Sequence, residues 1–373
     1  MTPHSNALST KRIVSIDALR GFDMFWIIGG GGLLLSVFTW LDNPVFRTLA
    51  AQLEHSPWTG FTFEDLIFPL FLFIMGASMP YSLTKRLERG DSRTQLYLHI
   101  LKRTCILYFL GLAYYGLLDF NFGAQRYAGV LPRIAFCYLF TGLIVMTAGI
   151  RGQAIWTAMI LIVYWLVLKL VPVPGYGAGV FTPDGNLGVY IDQHFLPGRH
   201  WTYGDYKLAD ATGIIGTFPA VASTLLGVLS GHWLRTDKPD RNKVIGLAAA
   251  GVASIVLSFV WSINLPINKF LWTSSYVLLA GGLSLLLLAL FYWIIDVRGY
   301  RSWAFPFIVI GLNPITIYVA SRFFDFGSVA GVFVHGFIDY LGAFKPVFWA
   351  MSVLTVKWLF LYFLYRRKLF FKA

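Results

Sequence analysis

Apolar residues run in long blocks along this chain, and short segments rich in Lys, Arg, Gly and Pro separate the blocks. An α-helix needs about 20 consecutive apolar residues to cross the hydrocarbon core of a bilayer, which is about 30 Å thick. Blocks of that kind predict spans at 13–38, 61–83, 97–118, 130–149, 153–171, 213–234, 244–262, 272–295, 303–321 and 345–365. The pattern therefore predicts an all-α fold, a polytopic transmembrane helical bundle of about ten spans.

Composition agrees with an integral membrane protein. The chain of 373 residues is 57% hydrophobic and 13% charged, whereas soluble domains carry about 25% charged residues. A net charge of +12 would suit a nucleic-acid-binding protein, but the basic residues lie in short loops between the apolar blocks. We therefore expect the lipid bilayer as a partner and no nucleic acid.

Lys and Arg are unevenly divided between the two sides that alternating spans create. One side receives the basic loop 85–103 and the basic chain end 366–373, and the other side receives far fewer such residues. Cytoplasmic loops of membrane proteins carry the excess of Lys and Arg. This bias predicts that both termini are cytoplasmic and that 172–212 is the longest outer loop.

A polar cluster stands directly before the second predicted span. His55 and Trp58 are followed by Glu64 and Asp65, and a long apolar run then begins. By the charge bias this cluster lies on the outer side of the membrane. Ionisable groups within membrane helices are rare and mark functional sites by default, so this mouth of the second span is our first candidate site.

Further candidates lie on both sides. Asp17 and Arg20 are three residues apart on the first span, so they share a helix face and can pair. Lys102 and Arg103 end the basic loop at the start of the third span; this loop either carries only the orientation signal or seats an anionic cytoplasmic ligand. Arg133 opens the fourth span and either snorkels towards the interface or reaches inward to a ligand.

The outer loops hold acids, aromatics and amides. Aromatic rings stack on sugar rings, and carboxylates take hydroxyl groups or an ammonium, so the acidic and aromatic loop that contains Asp210 suits a sugar or an amine. Asn268 and Lys269 lie in the next outer turn, and Asn313 precedes Pro314, which breaks the ninth span. We find no metal-ligand pattern in the sequence.

Several of these segments together resemble the heparan-α-glucosaminide N-acetyltransferase family and its bacterial relatives, some of which are known only as domains of unknown function. The resemblance covers nearly the whole chain in order and topology. It is carried by residues 12–21 (RIVSIDALRG), 55–60 (HSPWTG), 65–69 (DLIFP), 73–76 (FIMG), 129–133 (GVLPR), 213–217 (GIIGT), 266–272 (PINKFLW) and 311–313 (GLN).

The resemblance implies a single transmembrane acyltransferase domain, residues 1–373, in the inner (plasma) membrane of a bacterium. Acetyl-CoA would be the cosubstrate from the cytoplasm, and the amine of a glucosamine-type sugar on the outer face would be the acceptor. The histidine that the family uses for catalysis corresponds to His55. One departure is the glycine run 29–32, which stands where the family carries an Asn near its active centre.

The residues fit this chemistry on their own terms. Acyl transfer to an amine needs a base, and imidazole groups titrate near neutral pH. His55 could be that base, or it could attack the thioester and carry the acetyl group. Asp65 or Glu64 could orient its ring, while Asn313 or Asn268 could donate to the tetrahedral oxyanion.

The predicted binding residues divide into two sets, and other functions stay open. Those expected to bind CoA are Asp17, Arg20, Lys102, Arg103 and Arg133, and those expected to contact the acceptor are Trp58, Asn268, Lys269 and Asp210. The alternatives are a transporter of N-acetylglucosamine or a related sugar, and an O-acyltransferase of envelope polysaccharides. A homodimer is left open, and no metal is expected.

Overall fold

The computed structural model describes residues 13–200 and 212–371, and these ranges are almost entirely helical. The predicted all-α fold is confirmed. In chain order the α-helices are α1 (Val14–Phe25), α2 (Gly31–Leu41), α3 (Pro44–Ala51), α4 (Glu64–Glu88), α5 (Arg93–Tyr114), α6 (Val130–Thr147), α7 (Ile150–Leu170), α8 (Leu187–Phe195), α9 (Thr217–Leu234), α10 (Asp240–Ser262), α11 (Ser274–Phe291), α12 (Phe305–Gly311), α13 (Pro314–Phe323), α14 (Phe326–Val334) and α15 (Lys345–Arg366).

Shorter elements connect these helices. The π turns Trp26–Gly30 and Tyr292–Val297 continue α1 and α11, and short 3₁₀ turns lie at Leu117–Asp119, Ser302–Ala304 and Ile338–Phe344. The loop after α7 contains a small antiparallel hairpin, β1 (Pro172–Val173) with β2 (Gly177–Ala178). A short helix, α3, follows the first span, and the Asn43 side chain caps its start.

Eight helices in the described ranges are long and apolar enough to cross a membrane. Helices α12 and α13, joined at an angle of 61°, raise the number to nine if the bent pair is one broken span. The remaining predicted span, 213–234, corresponds to α9, which buries Ser223, Thr224 and Ser230 in the bundle and is therefore less apolar. The span count of ten and the cytoplasmic termini remain predictions.

Glycines let several helices approach closely. A Cβ atom on Gly76 of α4 would lie 1.9 Å from the carbonyl oxygen of Thr224 in α9, and one on Gly227 would lie 1.9 Å from that of Phe73. Gly21 of α1 and Gly311 of α12 meet in the same way. Small residues at such crossings bring helix backbones into contact, which is how helices associate when lipid removes the hydrophobic drive.

The centre of the bundle is α4. Of its apolar window, 78% is buried, against 17% for α10 at the periphery. It packs against α9, α11 and α1, so its first residues are held by several neighbours. Because Glu64 and Asp65 begin α4, any chemistry they support rests on the most rigidly surrounded helix of the protein.

The two ends of the bundle can be told apart from their contacts. Tyr276, near the start of α11, donates its hydroxyl to the carbonyl oxygen of Asp65. At the other end of the same helix, Asp296 accepts from the backbone N–H groups of Val14 and Ser15, which begin α1. We call the first the His55 end and the second the terminus end, where α1 begins and α15 stops.

The glycine run does break the first span. Gly29 has a backbone φ of 142°, a value that residues other than glycine rarely adopt. The π turn Trp26–Gly30 separates α1 from α2. The carbonyl of Ile28, released at this break, accepts a hydrogen bond of 2.7 Å from the Nζ of Lys357 in α15. A distant helix therefore satisfies the backbone group that the glycines free.

Candidate functional site at the mouth of α4

Three side chains meet where α4 begins. His55 Nδ1 lies 3.1 Å from Asp65 Oδ1 and 3.0 Å from Lys269 Nζ, and Lys269 Nζ lies 3.2 Å from the same carboxylate oxygen. Asp65 is fully buried and Lys269 nearly so, while about 30% of the His55 side chain is exposed. The cluster therefore presents one accessible imidazole whose Nδ1 side is held by a buried ion pair.

Local sequence explains why Asp65 points at the loop that carries His55. Thr62 donates to Asp65 Oδ2 through both its backbone N–H and its hydroxyl, and Ser56 N–H donates to the same oxygen. A Thr followed three residues later by an acid is the pattern of a helix N-terminus, and α4 begins within it. These three bonds fix the carboxylate that in turn orients His55.

Lys269 reaches the cluster from the loop between α10 and α11. Burial lowers the pKa of Lys269, and the adjacent Asp65 carboxylate opposes that change. Asn268, the preceding residue, is fully buried; its Oδ1 accepts from the N–H of Leu271. Its Nδ2 has no hydrogen-bond partner in the part of the chain that the structure describes, so it is a donor still available beside the cluster.

Two carboxyl groups extend the cluster into the bundle. Glu64 is half-buried and lies close enough to His55 and Lys269 to interact with both electrostatically. Asp23 of α1 is fully buried and interacts with Glu64, and neither of its oxygens has a partner among the described residues. An edge-to-face contact of 4.8 Å between the rings of Trp26 and Phe63 joins the two helices here.

Trp58 is buried and packs against neighbouring loops. Its ring stacks on Phe270 at 5.1 Å, and its Nε1 donates to the carbonyl of Phe181 at 2.7 Å. The N–H of Gly60 in the same turn donates to Ile267. These contacts clamp the His55 loop onto the loop that carries Lys269, which explains how residues 214 positions apart come together.

The expected pair of Asp17 and Arg20 is present at 3.0 Å, far from His55. Arg20 also donates to the hydroxyl of Ser78 and to the carbonyl of Gly311. The pair thus joins α1, α4 and α12 in the half of the bundle that lies towards the terminus end. These contacts hold the three helices together. The role of the pair in ligand binding stays a prediction.

The basic residues predicted to bind CoA lie in different places. Because α5 begins at Arg93 rather than at 97, Arg103 lies well inside the helix, with its guanidinium 4.5 Å from the ring centre of Tyr138 and its Nε buried without a hydrogen-bond partner among the described residues. Lys102 beside it is exposed. Arg133 is instead buried at the His55 end, over the ring of Trp272.

One predicted residue is not part of the cluster, and another cannot be placed because it lies outside the described residues. Asn313 lies next to Gly311, at the terminus end, where its side chain donates to Leu369 and accepts from the N–H of Phe371. The structure thus does not bring Asn313 to His55, because its amide holds the chain that follows α15. Asp210 lies outside the described residues.

Lys269 has contacts that the sequence did not predict. Its expected contact with the acceptor stays a prediction, and the structure places its Nζ against His55 and Asp65. A signal existed, since Lys269 follows a Pro-containing outer turn in a segment shared with the resembled family. The spatial pairing itself could not be read, because 214 positions separate it from His55. In the described ranges no group of His, Cys, Asp and Glu is arranged to hold a metal.

Comparison with known proteins agrees with the motifs. Residues 12–168 match a family model described as a domain of unknown function, DUF5009. The chain is 27% identical over 437 aligned positions to the heparan-α-glucosaminide N-acetyltransferase of Mus musculus, and 26% identical over 427 positions to that of Homo sapiens. The alignments cover 99% and 97% of this chain but 62% and 60% of the relatives. The resemblance to that family is confirmed, and the chain spans about three fifths of these relatives' length.

Proposed function

We propose that this chain is a transmembrane N-acetyltransferase. It takes acetyl-CoA from the cytoplasm and passes the acetyl group to the amine of a glucosamine-type sugar on the outer face of a bacterial inner membrane, with residues 1–373 acting as one domain. The contact of His55 Nδ1 with Asp65 and Lys269 carries the proposal. The names of the curated relatives support the reaction class.

In the proposed reaction His55 works through its Nε2. The amine nitrogen attacks the thioester carbonyl carbon, and the new C–N bond forms as the C–S bond breaks. The sulfur leaves as the thiolate of CoA, while His55 receives the proton that the amine loses and then gives that proton to the thiolate. In the two-step variant, Nε2 itself first accepts the acetyl group and then passes it to the amine.

The hydrogen-bond partner that Lys269 donates to decides which imidazole nitrogen of His55 is basic. When Nδ1 carries the ring proton and donates it to Asp65, the lone pair is on Nε2, where the substrate needs it. A Lys269 ammonium that donated to Nδ1 would instead require the ring proton on Nε2, and the base would be lost. We infer that Lys269 donates to Asp65 in the working state, as the 3.2 Å contact allows.

Other residues are assigned from their surroundings. Asn268 is the better oxyanion donor, because its Nδ2 is buried beside the cluster without a partner among the described residues. Asn313 is already engaged elsewhere. For the acetyl donor, we propose that Arg103 contacts the phosphates of CoA, since Arg forks and Lys ammonium groups favour phosphate. Lys102 and the Asp17–Arg20 pair would contact CoA as it enters from the cytoplasm.

A transfer assay with radiolabelled acetyl-CoA and glucosamine tests the proposal on the purified full chain. His55→Ala should lower the rate by about 10²–10⁴-fold if His55 is only a base, and should stop turnover if it carries the acetyl group. His194→Ala is the matched control, because His194 is an exposed histidine of the outer loop. Both variants should still fold and bind acetyl-CoA, and His194→Ala should unfold at the wild-type temperature.

Two measurements separate the alternatives. An acetyl ester instead of an amide among the products would indicate the O-acyltransferase. Uptake of unmodified sugar into proteoliposomes without acetyl-CoA consumption would indicate the transporter. A His55→Ala protein that acetylates glucosamine at the wild-type rate would overturn the proposed role of His55.

A further inference from the structure

A cavity of about 430 Å³ lies between α13, the start of α14 and α15, away from the His55 cluster. Two cationic side chains, Arg322 and Lys357, and one carboxylate, Asp325, line it. The remaining wall is mainly apolar and consists of Phe323, Phe324, Phe326 and Val353, together with Ser321 and Gly327. Charged residues at a membrane helix face are rare, so this cavity needs a physical explanation.

Lys357 has an incomplete set of partners. It lies within α15, far from either end of the helix, and its Nζ donates to the carbonyl of Ile28. An ammonium group has three N–H donors, and no described carboxylate forms an ion pair with this one. Its charge is therefore uncompensated by any described acid, and donors remain for a ligand in the cavity.

Arg322 and Asp325 leave the cavity net positive. The Nε of Arg322 donates to the carbonyl of Tyr114 at 3.1 Å, which leaves the terminal nitrogens of its fork. Asp325 instead caps α14, accepting from the N–H groups of Gly327 and Ser328 and from the Ser328 hydroxyl. Because its carboxylate is engaged at the helix start, it is not placed to pair with Lys357.

Exposed aromatic side chains border the cavity. Phe323, the last residue of α13, and Phe324, which follows it, are 49% and 68% exposed, and aromatic residues of membrane proteins are enriched where helices meet the lipid headgroups. We propose that the cavity binds an acidic phospholipid, whose phosphate lies between Lys357 and Arg322 and whose acyl chains lie along Phe324 and Val353. Arg forks and Lys ammonium groups are the usual partners of phosphate.

The test compares full-length protein in nanodiscs of phosphatidylcholine with nanodiscs of phosphatidylcholine and phosphatidylglycerol in equal parts. The acidic lipid should raise the unfolding temperature of the wild type, and native mass spectrometry should find phosphatidylglycerol retained. Lys357→Met and Arg322→Gln should each lose the rise and the retained lipid. Lys345→Met, an exposed lysine at the start of the same helix, should keep both.

Three results would overturn the assignment. The first is a rise of equal size in wild type, Arg322→Gln and Lys357→Met. The second is a rise with inorganic phosphate in pure phosphatidylcholine that the same variants lose, because the cavity would then take a small anion rather than a lipid. The third is equal retention of phosphatidylcholine and phosphatidylglycerol. Arg322→Gln keeps the test decisive if Lys357→Met does not fold, since Arg322 is exposed.

Discussion

At the residue scale, the candidate site depends on one shared oxygen. Oδ1 of Asp65 lies within 3.2 Å of both His55 Nδ1 and Lys269 Nζ. A buried carboxylate needs such partners, because an unpaired charge in a low-dielectric interior is costly. Removing any one of the three groups therefore changes the protonation and the orientation of the other two.

Asp65→Asn should impair both activity and stability. The imidazole loses the charge that stabilises its protonated form, so the transfer rate should fall by about 10²–10⁴-fold. Lys269 loses its counter-ion, and breaking a buried pair costs about 3–5 kcal/mol of unfolding free energy. The rate comes from the acetyl-CoA assay and the stability from thermal unfolding. Glu54→Gln, an exposed acid beside His55, is the control; an Asp65→Asn enzyme with full activity would contradict the assignment.

Lys269 should make stability rise with pH. Because its pKa is lowered in the folded protein, the unfolded chain binds more protons between the folded value and the ordinary value of 10.5. The contribution of this residue to stability is smallest below the folded pKa and increases with pH across that window. Unfolding temperatures measured across the alkaline range should show this rise in the wild type, and Lys269→Met should lack it. A rise of the same size in Lys269→Met would assign the effect to other groups.

At the element scale, helix α4 carries the site because its neighbours hold it closely. Gly76 and Gly227 let α4 and α9 touch along their backbones. The broken turn at Gly29 is the opposite case, since its neighbourhood is open and Lys357 satisfies the freed carbonyl. The same residue type therefore serves close packing in one place and a break in the helix in another.

Gly76→Ala should lower the stability of the protein, whereas Gly32→Ala should raise it. The new methyl at Gly76 would lie 1.9 Å from a backbone oxygen, and such overpacking costs about 1–3 kcal/mol. Nothing lies within 4 Å of a Cβ at Gly32, so Ala there should stabilise the helix by up to about 1 kcal/mol. Thermal unfolding of both variants in one detergent checks the contrast. Equal effects would show that the α4–α9 contact relaxes freely.

At the scale of the whole molecule, the proposed reaction needs the two ends of the bundle to cooperate. The His55 cluster lies at one end, and Asp17, Arg20 and Asn313 lie towards the other. Arg103 lies between, along α5. A cytoplasmic thioester must therefore extend through the bundle to meet an acceptor at the His55 end.

Arg103→Gln should weaken acetyl-CoA binding more than Arg366→Gln. Arg103 has a buried Nε without a described partner, and hydrogen bonds to charged groups are worth about 1.5–3 kcal/mol, which is about 10-fold or more in Kd. Arg366 is an exposed arginine at the end of α15. Calorimetry with acetyl-CoA gives the two values, and comparable losses in both variants would remove Arg103 from the donor site.

The sequence by itself determined the fold class and the membrane setting, and it predicted the candidate site around His55. In lipid, the backbone N–H and C=O groups of a long apolar block must bond within the block, which favours a helix. The all-α bundle therefore follows from the length and spacing of the apolar blocks. A local signal was equally readable: Pro314 was predicted to break the ninth span, and a new helix begins there after a bend of 61°. His55 and Asp65 were also accessible, because ten positions and a helix start connect them.

Tertiary structure alone decided which distant residues share a site. The sequence predicted Asn313 as an oxyanion donor, whereas the fold leaves its side chain with Leu369. The fold also brings Lys269 to His55, and the predicted contact of Lys269 with the acceptor stays a prediction. Spacing along one helix fixes which side chains are neighbours within it, but the neighbours of a loop depend on how separate helices pack. Those contacts form through shape and burial between elements, and no local pattern encodes them.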